Sequence, residues 1–294
     1  MSQVALTARA TTRQGRRPSG GTGATWGSPV TYLIATVLIA VCIAPVLYII
    51  VGGFRTNSQI TVDPSGWPNP WVFTNYTDVL TSGPFWQQFG NSTISAVSTT
   101  VGTVALALMA SFVIARYDFK GRNAMYALFA AGLMFPLTVA ITPLYLLIRN
   151  LGLTNNLIGI ILPQIAFSLP TTVIILVPFL AAIPKELEEA AFIDGASRLG
   201  FFFRMVLPLS LPGVITTGIL AFIGAWNGYM LPLFILNSSE LYTLPLGVQA
   251  FSSEHSVNTA AVLAFTSLSM IPALLFFSIF ERRIVGGLTG AVKG

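Results

Sequence analysis

The sequence predicts an all-α, polytopic integral membrane protein with six transmembrane helices, and three observations carry that reading. Charged residues make up only 9% of the 294-residue chain and apolar residues 54%, where a soluble domain carries about 25% charged residues. Six apolar runs are long enough to cross a hydrocarbon core of about 30 Å, which takes about 20 helical residues. The basic residues collect in alternate loops, as membrane topology requires.

The runs follow one another with short connections. The first, Val30 to Phe54, opens after Pro29, a residue suited to a helix start, and contains Pro45, which should kink it. The other five are Asn91–Ala115, Ala124–Ile148, Leu157–Ala181, Gly213–Leu236 and Ala260–Phe280. Residues 1–28, rich in Gly, Ser, Thr and Arg, are expected to form a disordered tail with no apolar core of a signal peptide. Residues 29–294 are expected to form the membrane domain, with a polar loop at 184–212 and a C-terminal tail at 281–294.

Orientation follows from Lys and Arg. Arg9, Arg13, Arg16 and Arg17 precede the first span, and Arg116, Lys120 and Arg122 follow the second. Lys185, Arg198 and Arg204 follow the fourth, and Arg282, Arg283 and Lys293 the sixth. Only Arg55 and Arg149 fall on the other side. Both termini and the 184–212 loop are therefore expected in the cytoplasm, the chain crossing the cell membrane several times. Outside, residues 55–90 carry Trp67, Trp71, Tyr76 and Trp86, rings suited to the headgroup level. The Asn237–Thr259 loop is acidic and long enough to reach a partner.

Several function classes are poorly supplied. One cysteine, Cys42, and one histidine, His255, support neither a multi-cysteine metal site nor His-based catalysis. The net charge of +5 sits in the tail and short loops, without the basic stripe a nucleic-acid-binding surface needs. No Asp, Glu, Lys, Arg or His lies inside the six spans as drawn, whereas proton relays place such groups at membrane depth. The three lysines follow Phe119, Pro184 and Val292, so no Gly-Lys phosphate loop exists and any ATP must be hydrolysed by another subunit. The spans do hold neutral polar groups: Ser95, Ser98, Thr99 and Thr100, then Gln164 and Ser168, then Asn227. Hydroxyls at such spacing serve helix packing more often than substrate contact. Asn227 beside Trp226 suits either recognition of a hydroxylated solute or an interhelical hydrogen bond.

The polar island from Pro184 to Pro212 holds four of the ten acidic residues. Pro184 opens a helix whose Glu186, Glu188 and Glu189 sit near its N-terminus, where the macrodipole favours them. Ala190 and Ala191 propagate it, and Gly195 can end it in the left-handed conformation. Phe201–Phe203 begins a second piece that stops near Pro208 and Pro212.

Glu189-Ala190-Ala191, Gly195 after three residues, and Met205-x-Leu207-Pro208 after nine more resemble the Glu-Ala-Ala-x3-Gly-x9-Ile-x-Leu-Pro signature of ABC-importer permeases. Met205 stands at the Ile position, a mild apolar change. Asn91-Ser92, Phe119-Lys120-Gly121-Arg122, Pro143-Leu144-Tyr145, Leu151-Gly152-Leu153, Trp226-Asn227, Thr243-Leu244-Pro245-Leu246-Gly247 and Gly290-Ala291-Val292-Lys293-Gly294 are similar to the maltose-transporter type, the last to its second permease subunit.

The resemblance implies a type I ABC importer permease fold and a permease subunit that moves a sugar or oligosaccharide inward without chemistry of its own. It implies a heterodimer with a second permease subunit, an ATPase homodimer that uses ATP and Mg, and an extracytoplasmic substrate-binding protein. The coupling residues would be Glu188, Glu189, Ala190, Ala191, Asp194 and Gly195, with Glu189 meeting a cation of the ATPase. The loop around Asn237–Ser256 would meet the binding protein. Trp226 and Asn227 are the candidate path-lining residues. This chain would bind no cofactor. A sugar-like solute such as glycerol-3-phosphate, or an ion-coupled carrier, are the alternatives.

Overall fold

Pro29 and the uninterrupted apolar residues after it start the first helix, α1 (Pro29–Gly52), of a computed structural model that describes residues 29–251 and 258–292. The tail before Pro29 and the residues Lys293 and Gly294 lie outside that range. The chain divides at Pro45 into two compact units. In the first, α1 exposes every side chain from Pro29 to Pro45. A helix apolar on all faces is a lipid-solvated one.

In the second unit, Gly53 and Phe54 turn the chain into a small cap. Thr56 and Gln59 form a reciprocal capping box for α2 (Asn57–Val62), satisfying two orphan donors at once. The Arg55 guanidinium is buried and donates to the carbonyls of Pro64, Gln59 and Asp63. Phe54 packs on Tyr76 of α3 (Thr74–Thr81) with centroids 4.4 Å apart. The Tyr76 hydroxyl donates to Ile50 O at 2.7 Å and accepts from Ser267 Oγ at 2.9 Å. Burial pushes the Tyr76 phenol above its ordinary pKa, and the Ser267 bond partly offsets this.

The longest fully described helix, α4 (Gly83–Arg116), has 34 residues and measures about 51 Å at 1.5 Å per residue. It runs well past the hydrocarbon core. Its buried stripe is Ser92, Ser95, Ala96, Thr99, Thr103, Ala107 and Ser111, small side chains at helical spacing that let another backbone approach closely. The helix that fills this seam is α7 (Leu157–Ala181).

Between them the chain departs from the expected third span. It forms α5 (Arg122–Gly132) and α6 (Leu137–Asn150), bent by 101° at a break over residues 133–136. Pro136 supplies the reason: it has no N–H to continue the ladder, and its ring restricts Phe135. Asn156 then caps α7 by accepting from Ile158 N at 2.8 Å.

After α7 come α8 (Lys185–Ile193), α9 (Arg198–Phe201), a π turn (Phe202–Val206) and α10 (Leu207–Leu209). A 74° bend follows, and α11 (Leu211–Trp226) re-enters the apolar layer. Pro208 and Pro212 remove two ladder donors, and Ser210 Oγ bonds Val206 O at 2.7 Å across the bend. The expected fifth span, Gly213–Leu236, is thereby corrected. Its helix ends at Trp226, and α12 (Met230–Ile235) is a separate short element. A 3₁₀ turn, α13 (Leu244–Gly247) and a second 3₁₀ turn lead to α14 (Thr259–Val292).

Four single helices and two bent pairs, six spans when each pair counts as one, are long and apolar enough to cross a membrane, with no strand among the described residues. One end gathers the cap, the 151–156 turn and the 236–251 loop. The other gathers the Arg116–Arg122 turn and the segment from Ile183 to Ser210.

The α4–α7 seam yields a test. Ser111 is fully buried there, its hydroxyl 3.5 Å from Val173 O. Ser111→Leu should cost about 1–3 kcal/mol by overpacking, read as a lower thermal midpoint in detergent. Ser111→Ala should change it little; equal behaviour of the two would show that the seam is not close-packed.

Candidate functional site

Two places in this fold collect polar groups that the apolar layer does not explain. The first is α8. Pro184 precedes it and Glu186 and Glu188 lie in its first turn, with Glu189 one residue beyond. Its C-terminus closes as a Schellman motif: Ala196 N donates to Ala191 O at 2.9 Å and Gly195 N to Phe192 O at 3.1 Å. Gly195 has φ +80°, the left-handed conformation that the motif demands at this position.

The carboxylates of α8 have different fates. Glu188, expected on the docking surface, is turned inward: its side chain is 16% exposed and that of Arg116 only 2%. Arg116 Nη2 and Nε donate to Glu188 Oε2 at 2.6 and 3.0 Å, and Nη1 donates to Ile183 O at 2.6 Å. Glu188 is therefore an internal tie between α8 and the end of α4. Ala191 is buried beside Phe201 and Val206 in the apolar cluster at this end. Glu189, Ala190, Asp194 and Gly195 are exposed, as are Ile193, at 85%, and Leu199. The exposed side of this segment thus combines apolar groups with the carboxylates of Glu189 and Asp194 and the cations of Lys185 and Arg198.

Arg116 itself was not singled out from the sequence beyond its role in topology. Its neighbours reinforce the grip. Arg198 lies over the Tyr117 ring at 5.4 Å, a cation–π contact, and Phe112 meets Phe202 edge-on at 5.0 Å. The end of α4 thus holds both helical pieces that follow α7.

The second place lies inside the apolar layer. Gln164 on α7 is 8% exposed, and its Oε1 accepts from Ser95 Oγ at 3.2 Å and Thr99 Oγ1 at 3.0 Å on α4. Beside it is a cavity of about 260 Å3 lined by Gln164, Phe167, Ser168, Gly224, Gly228 and Tyr229, among others. Trp226 and Asn227 do not line it. Trp226 is buried, stacked on Phe222 at 5.7 Å, with Nε1 donating to Ser269 O at 3.4 Å. Asn227 is exposed at the end of α11. The neutral polar residues noted in the sequence thus separate into a packed indole and a cavity-lining amide.

At the end opposite α8, three side chains pin the 236–251 loop. Asn91 Nδ2 donates to Glu240 O at 2.7 Å and Tyr242 O at 3.0 Å, and Ser92 Oγ accepts from Leu244 N at 2.7 Å. Asn155, at φ 53°, accepts from Asn237 N and Ser238 N at 2.9 Å each. The residues 252–257, including Glu254 and His255, lie outside the described range. Among the described residues no three His, Cys, Asp or Glu side chains converge on a point where a metal could sit.

Six apolar spans, a neutral polar cavity between them and an amphipathic helix tied to one end define a membrane transport subunit. The chain belongs to the family of binding-protein-dependent transport system inner membrane components, which it matches over residues 102–286. It is 34% identical over 91% of its length to the sulfoquinovosyl glycerol transport system permease protein SmoH of Agrobacterium fabrum, covering 95% of that protein. With the diacetylchitobiose uptake system permease protein DasC of Streptomyces coelicolor it shares 36% identity over 88% of this chain and 95% of that one. With the trehalose transport system permease protein SugB of Mycobacterium tuberculosis it shares 35% over 89% and 96%. The fold matches a chain in the crystal structure of a bacterial ABC transporter involved in the import of the acidic polysaccharide alginate, with a TM-score of 0.75 at 21% identity over 86% of this chain and 94% of that one.

The Arg116–Glu188 tie can be tested by a double-mutant cycle. Arg116→Leu leaves a partly buried carboxylate unpaired, which should cost about 3–5 kcal/mol and lower the thermal midpoint in detergent. Arg116→Leu with Glu188→Leu should recover more than half of the loss. Strictly additive losses would mean that the two side chains are not coupled.

Proposed function

We propose that this chain is one permease subunit of a heteromeric ABC importer that carries a sugar or oligosaccharide into a bacterial cytoplasm. The carbohydrate reading is supported by the cargoes in the names of its relatives, which are glycosides and disaccharides, and by a path without ionisable side chains. The observation that carries the coupling role is the division of labour on α8. Glu188 holds the helix to α4 from within, while Glu189 and Ile193 stay exposed on the outside.

In this reading the α8 end faces the cytoplasm. Arg116, Lys120, Arg122, Lys185, Arg198 and Arg204 all lie there, against Arg55 and Arg149 at the other end, the sense expected of a cytoplasmic surface. The exposed face of α8 then meets a separate ATPase homodimer, with Glu189 opposite a cation and Ile193 in an apolar recess. ATP and Mg belong to that subunit. Closure of the ATPase dimer pulls α8, and with it α4 through Arg116, so that the spans part toward the outside. The pinned 236–251 loop receives a substrate-binding protein on the outer face, and a second, non-identical permease subunit completes the path. The chain itself performs no bond chemistry.

Three measurements bear on this. In proteoliposomes holding the whole assembly, Glu189→Ala should lower ATP-driven uptake by roughly tenfold, the scale of one lost charge-assisted contact, while leaving helicity unchanged. Gly195→Val forces a β-branched residue to φ +80° at a cost of at least about 1–2 kcal/mol and should separate ATP hydrolysis from uptake. Normal uptake in both variants would remove α8 from the coupling step. For orientation, Asp194→Cys in a Cys42→Ser background should react with an impermeant maleimide only after the cells are permeabilised; labelling of intact cells would invert the topology.

A further inference from the structure

A primary amide brings two donor hydrogens and two acceptor lone pairs into the apolar layer, and Gln164 uses only part of them on protein. Its Oε1 is occupied by the Ser95 and Thr99 hydroxyls of α4. Its Nε2 has no acceptor among the described residues, although the side chain is more than nine-tenths buried. Turning the amide by 180° exchanges the two ends and leaves the same result, one end held by α4 and the other bare. The bare end borders the cavity beside it.

The bare end is aimed at space that the sequence keeps open. A Cβ on Gly228 would stand 2.8 Å from Gln164 Nε2, and one on Gly224 would meet nothing within 4 Å. The end of α11 and the middle of α7 thus leave a cavity of about 260 Å3, just under the lower bound of about 300 Å3 for small-molecule sites. Ser168 follows Gln164 by one helical turn and lines the same cavity. So does Tyr229, whose hydroxyl accepts from Gln249 Nε2 at 2.9 Å and keeps its own proton to donate. Phe167 supplies an aromatic wall, backed by Phe135 at 6.5 Å.

These groups select among cargo classes. An ion finds no opposite charge here, and a purely apolar solute would leave the amide unpaired. A ring with several hydroxyls and an apolar C–H face satisfies both sides of the cavity.

We infer that this subunit itself holds one sugar ring of the passing substrate, with the Gln164 amide, Ser168 and Tyr229 meeting its hydroxyls and Phe167 its apolar face. The inference rests on the carbohydrate-importer reading and adds that the recognition inside the membrane does not lie with the partner subunit alone.

The test uses the complete assembly in proteoliposomes, with radiolabelled trehalose and diacetylchitobiose as probes and the cognate binding protein present. Gln164→Leu should lower uptake of the better probe roughly tenfold, with binding-protein-stimulated ATP hydrolysis within about twofold of the parent. Gly228→Ala leaves Gln164 and both hydroxyls in the chain but sets a methyl 2.8 Å from Gln164 Nε2, so the amide must shift and the space before it fills. It should lower uptake in the same way, and it decides the matter if Gln164→Leu does not assemble. Uptake by Gly228→Ala close to that of the parent overturns the subsite and leaves the importer standing. Parallel loss of uptake and ATP hydrolysis makes the role structural and also overturns it. A parent assembly that imports neither probe nor any other glycoside its binding protein binds overturns the carbohydrate reading itself, and the subsite with it.

Discussion

The buried guanidinium of Arg116 is the constraint on which the arrangement of the α8 end depends. It stands at the edge of an apolar layer, where an unpaired charge is costly and a paired one must have its remaining donors satisfied. One carboxylate, Glu188, and one carbonyl, Ile183 O, do this together. The first belongs to α8 and the second to the turn that precedes it. Satisfying a single side chain therefore positions the end of α7, the start of α8 and the end of α4 at once. Phe112 and Tyr117 add contacts to the following segment through Phe202 and Arg198, so the grip extends past Gly195.

The same helix is held at its other half. Asn91 and Ser92 fasten the 236–251 loop to α4 near its N-terminal end, and Arg116 fastens α8 to its last turn. A helix of about 51 Å tied at both ends makes a stiff strut between the two surfaces that meet partners in the proposed assembly. The small residues of its buried stripe keep α7 close along much of the length between those ties. Gln164 reaches the strut through Ser95 and Thr99, while the cavity beside it is lined from α6, α7, the end of α11 and the start of α12.

Much of this was legible in the sequence. Length and hydropathy located six runs because a lipid-solvated span must satisfy its own backbone and expose only apolar side chains. Gly195 could be read as a helix stop because few other residues adopt φ near +80° cheaply. The third span was drawn straight through Pro136, where the chain bends by 101°; hydropathy is blind to direction. The fifth was drawn too far, since apolar residues after Trp226 continue in a separate short helix, and apolar content alone does not distinguish one helix from two. Trp226 and Asn227 drew notice as polar groups in a span, yet Trp226 spends its N–H on Ser269 O and the cavity lies with Gln164 instead.

By itself the sequence determined the solvent of this protein, the number of its spans, the polar island between the fourth and fifth, and the spacing that marks its family. Those are properties of composition, period and local backbone preference, all of which act over a few residues. Only the tertiary structure decided that Glu188 faces inward while Glu189 faces out, and that Gln164 rather than Trp226 borders open space. Each of those outcomes turns on a partner far along the chain: Arg116, 72 residues from Glu188, and Ser95, 69 residues from Gln164. Adjacent glutamates on one helix have the same local chemistry, and which of them is buried is settled by the charge that the fold brings beside it.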